Sequence, residues 1–459
     1  MTMQENYLTE ETDIPQSDIT RLCDNLRKHS QIAPALYEKY NVNRGLRHSD
    51  GSGVVAGITR ICSVHGYVID EGERRPVPGE LIYRGYSIKD LVENAEREDR
   101  FLFEEIVYLL LMGELPTADE LDVMRKSLAM RRELPPGFLV DSIMQAPSKN
   151  IMNKLARSIL SLYSYDDDPE HPSLEGEMRI ALGLIAKMPI LMDGAYQAKR
   201  HKFDNASMII HQIRPEEGTA ESILSLIRND RNYTKEEAQL LDIMLSIHAE
   251  HGGGNNSTFA CRVATSSGTD PYAAYTTAIN SLKGSRHGGA NIKVAEMMDA
   301  VLEETGGYTA DDKKIRAAVN KLMDGELYDR TGLVYGFGHA VYTISDPRAE
   351  MLRARCLEVA KEKKMMTEFD FRQRFERIAL ETMKERKGVA LPTNVDYYSG
   401  FAYEMLGIPR DLYTPLFVCS RMVGWVAHNI ENKLYDGRIM RPATKYVGDN
   451  KEYTAMEER

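Results

Sequence analysis

Apolar residues recur at helical spacing along most of the chain, and the breaks between runs carry residues that start and stop helices. FLFEEIVYLLLMG closes at Gly113, with Pro116 just beyond to prevent continuation. TADELDVMRKSLAM opens on Thr117 and Glu120, and TKEEAQLLDIMLSIHAEH opens on Thr234 and Glu237. Both pairs fit a capping box, in which two side chains satisfy free amides at a helix start. The second run then sets apolar residues at 240, 241, 244, 245 and 247. DPYAAYTTAINSL and DPRAEMLRARCLEVA each begin with an Asp cap and a Pro in the first turn, and TPLFVCSRMVGWVAHNIENKL begins with Thr414 and Pro415. Strand-like alternation is confined to about residues 53–86, where GVVAGITRICSVHGYVID and ELIYRGYSI predict small hairpins. No short repeat, heptad run or low-complexity block interrupts this pattern. The predicted fold class is mainly all-α.

At 459 residues the chain has room for two or three domains around large cores. A net charge of −11 argues against a broad basic surface for nucleic acid, but leaves room for an anion held by a few arginines. Cys23, Cys62, Cys261, Cys356 and Cys419 are scattered without a CxxC pair, which reads as a reduced, intracellular protein. The acidic opening MTMQENYLTEETDIPQ has neither a signal peptide's apolar core nor a basic presequence. No apolar run approaches the roughly 18 residues of a membrane helix. The expectation is a soluble, cytoplasmic protein with no membrane or nucleic-acid partner.

Three turn-bounded positions set an ionisable side chain close to a predicted helix start. In SLKGSRHGGAN, His287 stands among glycines ahead of Asn291, the expected N-cap of NIKVAEMMDAVLEE. A helix N-terminus disfavours imidazolium, and a neutral imidazole donates to a carbonyl without surrendering its proton. The bland alternative is a solvated turn histidine. In YGFGHAVYTISDPRAEM, His339 is followed by Arg348 at the front of a helix, a place that receives a carboxylate or phosphate. The alternative for Arg348 is a surface pair with an acid such as Glu350 or Glu104. In LPTNVDYYSGFAYEML, Asp396 reads either as an N-cap or as a positioned carboxylate base.

Arg421 falls inside the apolar run LFVCSRMVGWVA with no acid within a helical turn, so it needs an anion from elsewhere in the fold or from a ligand. Trp425, the single tryptophan, shares its helix face. HAEHGGGNN places His248 and His251 three residues apart, a metal-compatible spacing, but no HExxH accompanies them and no metal site is expected.

Taken together, HAEHGGGNNST, KGSRHGGAN, GFGHAVYTISDPR, NVDYYSG and SRMVGW followed by RP resemble the ordered signatures of the citrate synthase family. Upstream, GELIYRGYSIKDL and FEEIVYLLLMGELPTADEL are similar too, so the likeness covers most of the chain beyond about residue 40. The resemblance implies that Asp396 takes a methyl proton from acetyl-CoA while His287 hydrogen-bonds the thioester oxygen of the enol. His339 would polarise the ketone of oxaloacetate, and His251, Arg348, Arg421 and Arg441 would hold its carboxylates. Acetyl-CoA is then a co-substrate and no resident cofactor is implied. The 2-methylcitrate synthases of the same family, using propionyl-CoA, are the alternative. Residue chemistry agrees: a weakly acidic α-proton needs a base and a donor at the developing oxyanion, and a dicarboxylate suits paired arginines. On this reading the glycines around His287 let the acyl-CoA approach.

The family also implies a large helical domain, here 51–288 with 406–459, and an inserted small helical domain, 289–405. The active site would lie in the cleft between them, with glycine-rich turns suited to a closing hinge. Residues 1–50 match no signature and read as an amphipathic arm for oligomer contacts. Family members are homodimers or assemblies of dimers, with the residue matching Arg441 supplied by the neighbour. Lys283, Arg286 and Lys387 are candidates for CoA phosphates, or else solvated charges. One departure stands out: after His251 this chain has GGGNN, where many relatives carry an acid and a single Asn.

Overall fold

The computed structural model describes residues 16–48, 51–70, 73–170, 173–388 and 391–459. The acidic opening of the chain lies outside the described residues up to position 15. Two compact units emerge, residues 1–56 with 442–459 and residues 57–441. In the first unit the helix Gln16–His29 leaves Leu22 and Leu26 exposed, and a short helix follows at Ala35–Lys39. The tail belongs to this unit, with Lys445 Nζ lying 5.2 Å from the centre of the Tyr40 ring.

Among the described residues the second unit is helical apart from one antiparallel sheet of β1 (Cys62–Asp70), β2 (Glu73–Tyr83) and the short β3 (Tyr86–Ser87). Its place agrees with the period-two segment of the sequence. The β1–β2 register shifts between His65 and Tyr67. A Cβ on Gly66 would overlap the Val341 carbonyl, and one on Gly79 would meet Ser345 and Tyr342. Two missing side chains therefore let the hairpin seat the loop that links His339 to Arg348. Thr343 Oγ1 donates to the Gly66 carbonyl at 2.6 Å and fixes that seat.

Helix starts follow the local chemistry. Thr117–Glu120 and Thr234–Glu237 form complete capping boxes, and Asp270 and Asp346 cap helices whose first residue is proline. Gly113, at φ 95°, ends the helix Phe103–Met112 in the left-handed conformation that favours glycine. The helix expected to open on Thr414 begins one residue earlier at Tyr413 without a side-chain cap, and two other expected caps move. The helix Ala290–Thr305 starts behind Gly289, leaving Asn291 buried inside it, and Asn394 rather than Asp396 caps Val395–Met405. In each case a residue nearby already has the extended or turning backbone of a cap.

The helix Tyr413–Glu431 runs through the core, packed against Leu174–Phe203, Lys235–His248, Asn256–Ser266 and Phe103–Met112. Leu416, Met422, Val423, Trp425 and Val426 on it are fully covered. Burial on nearly every side explains why its sequence is apolar all round rather than on one stripe. It also explains the cost of placing an arginine there.

Candidate active site

The site assembles where the end of one helix meets the starts of two others. Lys235–His248 ends at His248, whose Nδ1 pairs with the Met244 carbonyl at 2.7 Å. The chain then turns through Glu250 and His251. Tyr83 of β2 pins that turn, donating to the Glu250 carbonyl at 2.9 Å and accepting from its amide at 3.1 Å. The first two glycines of the GGG sequence after His251 have a local reason. Gly252 adopts φ +86°, and a Cβ on Gly253 would come within 3.0 Å of the His428 ring.

His339, His251 and Tyr342 form one aromatic cluster. The His339 and Tyr342 rings stack at 4.5 Å, His251 meets His339 edge-on at 5.1 Å, and His251 Nε2 lies 3.2 Å from the Tyr342 hydroxyl. His339 Nδ1 accepts the amides of Val341 and Tyr342 at 3.0 and 3.1 Å. An Nδ1 that accepts leaves the ring proton on Nε2, so the imidazole is a neutral donor. Burial, and then the Arg348 guanidinium, hold His251 well below the ordinary histidine range.

Arg348 is buried and gripped by the cap of its own helix. Asp346 Oδ1 accepts its Nε at 3.0 Å and Oδ2 accepts its Nη2 at 2.8 Å. That pairing replaces the surface partners Glu350 and Glu104 considered for it. Asp346 Oδ2 also accepts the Val395 amide at 3.2 Å, so one carboxylate joins the starts of two helices. Asn394 completes the junction, with Oδ1 accepting the Asp396 amide at 3.1 Å and Nδ2 donating to the Gly338 carbonyl at 3.0 Å. Asp396 is thereby fixed in the first turn beside the His339 loop. Burial pushes its carboxyl up to about 6, against the pull of Arg348 and, more weakly, Arg421.

Arg421 is wholly buried, with its guanidinium 4.7 Å from the centre of the Phe417 ring. Its Nε donates to the His248 carbonyl at 2.7 Å, while Nη1 and Nη2 have no protein partner among the described residues. Its charge is felt by His251, His287 and Asp396, which makes it the common electrostatic neighbour of the site.

His287 lies on the turn between Pro271–Leu282 and Ala290–Thr305, with Nε2 3.0 Å from Ser257 Oγ and facing the Ser257 amide at 3.4 Å. Burial, and then Arg421, hold it near 4, so it works as a neutral imidazole. Trp425 Nε1 donates to the same Ser257 Oγ at 3.2 Å, tying the Arg421 helix to this histidine. Gly288 has a local packing reason, because a Cβ there would strike Leu282 of its own turn. Lys283, Arg286 and Lys387 are all exposed.

Arg441 is exposed at the end of the second unit. Among the described residues no group of three His, Cys, Asp or Glu side chains converges to hold a metal, and no helix is long and apolar enough to cross a membrane. Sequence reasoning missed Tyr342, Asn394 and Ser257. Tyr342 stands three residues after His339, and Asn394 precedes Asp396 by two, so both were within reach of a closer local reading. Ser257 gave no such signal.

A neutral donor histidine, a second neutral histidine, a carboxyl tuned to about 6 and two buried guanidinium groups suit enolisation next to a bound dicarboxylate. The sequence profile described as citrate synthase, C-terminal domain, matches residues 48–443. A citrate synthase of Haloferax volcanii is 34% identical over 388 residues, covering 83% of this chain and 93% of that protein. A 2-methylcitrate synthase of Corynebacterium glutamicum is 31% identical over 419 residues, covering 89% of this chain and 97% of that protein. The citrate synthase of Thermoplasma acidophilum, solved as a ternary complex with carboxymethyl coenzyme A and oxaloacetate, superposes with a TM-score of 0.74 at 26% identity. That superposition covers 91% of this chain and 99% of the other. With its helical architecture, its ordered motifs and a profile spanning most of its length in agreement, this chain belongs to the citrate synthase family.

Proposed function

We propose that the chain condenses acetyl-CoA with oxaloacetate and water to give citrate and CoA. The observation that carries this reading is Arg421, a buried guanidinium with both terminal nitrogens unpartnered, set among neutral histidines and the raised Asp396 carboxyl. Oxaloacetate's carboxylates go to Arg421, Arg348 and His251, with Arg441 contributed by a neighbouring subunit. His339 donates from Nε2 to the ketone oxygen. Asp396 removes a methyl proton from the thioester while His287 donates to its oxygen, so the enol carbon attacks the ketone carbon. The new carbon–carbon bond leaves an alkoxide that takes up a proton, and water then cleaves the thioester to release CoA as a thiol. The reaction needs no redox or carrier group, and the proposal includes no resident cofactor.

In this reading the site lies between residues 51–288 with 406–459 and the inserted 289–405, which close over the substrates. The working form is a homodimer or an assembly of dimers, located in the cytoplasm. The 2-methylcitrate reaction differs by one methylene, worth only about 1–3 kcal/mol in an acyl pocket. Thiol release should therefore be measured with oxaloacetate plus either acetyl-CoA or propionyl-CoA, with products identified by mass. The proposal expects the larger kcat/KM with acetyl-CoA. A preference for propionyl-CoA would select the alternative, and no oxaloacetate-dependent thiol release from either would refute both.

A further inference from the structure

The two buried arginines are compensated in different ways. Arg348 has a bidentate carboxylate, Asp346, while Arg421 has none in direct contact among the described residues. A guanidinium in a dry core still needs a nearby anion, since an uncompensated buried charge is strongly destabilising. Helix geometry shows where that anion comes from. Residues 421, 424 and 428 recur at spacings of three and four and so share one face of Tyr413–Glu431. A Cβ on Gly424 would overlap Glu250 Oε2 and the Ala249 carbonyl. The bare backbone at 424 is thus a notch that admits the Glu250 carboxyl, and the Gly424 amide donates to the Ala249 carbonyl at 3.1 Å to hold the turn there.

Glu250 is fully buried, with Oε1 3.0 Å from His428 Nε2 and Oε2 lacking a hydrogen-bond partner among the described residues. Burial pushes its carboxyl up, yet His428 and Arg421 more than reverse that and hold it below its ordinary range. Of the other groups that face Arg421, the Cys62 thiol and the Tyr83 hydroxyl are driven by burial toward their protonated, neutral forms. Asp396 also feels Arg421, less than it feels Arg348. Glu250 is the largest favourable influence on the Arg421 charge.

We propose that Glu250, seated in the Gly424 notch by His428, is the resident counter-ion of Arg421, offsetting the guanidinium charge while leaving its terminal nitrogens open until a substrate carboxylate shares that compensation. The proposal rests on the reading that Arg421 receives a carboxylate of oxaloacetate. Glu250 and His428 are positioning residues that act through Arg421.

The test is thermal unfolding of the intact assembled protein at neutral pH, with and without saturating oxaloacetate. Wild type is compared with Glu250→Gln, Arg421→Gln and the double variant Glu250→Gln/Arg421→Gln. Without ligand, Glu250→Gln should melt lower than wild type by on the order of 5 °C, because one charge is left unpaired. Oxaloacetate should restore about half of that deficit or more, since it becomes the missing anion. The double variant, with neither charge, should melt above Glu250→Gln while losing the oxaloacetate response. If Glu250→Gln does not fold, recovery of folded protein in the double variant supports the proposal. A double variant no more stable than Glu250→Gln overturns it, as does a Glu250→Gln deficit that oxaloacetate leaves unchanged while still stabilising wild type. A wild type that oxaloacetate fails to stabilise instead refutes the assignment of Arg421 to substrate, and the double variant still decides the counter-ion role.

Discussion

Asp396 shows how one residue's surroundings set both its chemistry and its cost. Its carboxyl, pushed up to about 6 by burial, is largely ionised at neutral pH yet basic enough to take a carbon-bound proton. Asp396→Ala should lower kcat by roughly 10²–10⁴, the range for losing a general base, with oxaloacetate binding by calorimetry retained. Near-normal turnover would remove Asp396 from that role. The same shift has a stability consequence. A folded-state value above the unfolded one means that the folded protein binds the proton more tightly. Its stabilising effect is therefore present below about pH 4 and lost as pH rises through about 6. Replacing the group with a neutral isostere removes the penalty for burying its charge. Asp396→Asn should thus be inactive but more stable than wild type at pH 7.5, by on the order of 1–3 kcal/mol, with the gain fading toward pH 4. Denaturant melts at the two pH values measure this, and equal gains at both would contradict the raised carboxyl.

Elements position these groups through contacts that cross between helices. The Tyr413–Glu431 helix carries Arg421 at one point and Trp425 one turn on, where the indole donates to Ser257 beside His287. Oxaloacetate binding at Arg421 should therefore change Trp425 emission, the chain's single indole, in a saturable titration. The response should vanish in Arg421→Ala while far-ultraviolet circular dichroism keeps its helical form, and a wild-type response in that variant would separate Arg421 from the ligand. This scale also shows what was legible beforehand. Capping boxes at Thr117 and Thr234 were readable because both partners lie within four residues and act on the same turn. The cap of the Asp396 helix is ambiguous in the sequence because Asn and Asp compete for the same role at neighbouring positions. Only the backbone, pulled toward Gly336 and Gly338, gives it to Asn394. The hairpin was expected, but its function as the seat of loop 341–345 was not, since a glycine in a strand does not say which backbone approaches it.

At the scale of the whole molecule, Arg441 is exposed on its own chain and is proposed to complete a neighbour's site. An isologous dimer would give each chain what it receives. Asp396→Ala and Arg441→Ala, each inactive alone, can be unfolded and refolded together. Half of randomly paired dimers are mixed, and each mixed dimer rebuilds one intact site, so activity should return to about a quarter of wild type. Mixed dimers confirmed by mass without recovered activity would place Arg441 in its own chain's site.

By itself, the sequence determined the helical class, the capped helix starts at Thr117, Thr234, Asp270 and Asp346, and the short list of ionisable residues at turns. These depend on spacing, capping and side-chain chemistry within a few residues of one another. Only the tertiary structure decided their partners. Asp346 holding Arg348 while receiving the Val395 amide, and Glu250 meeting His428 across 178 residues of sequence, are pairings without a local signal. The tautomer of His339 and the raised Asp396 carboxyl follow from the same source. A proton's position and a carboxylate's basicity depend on burial and on the charges that surround them, and both are settled when distant helices pack.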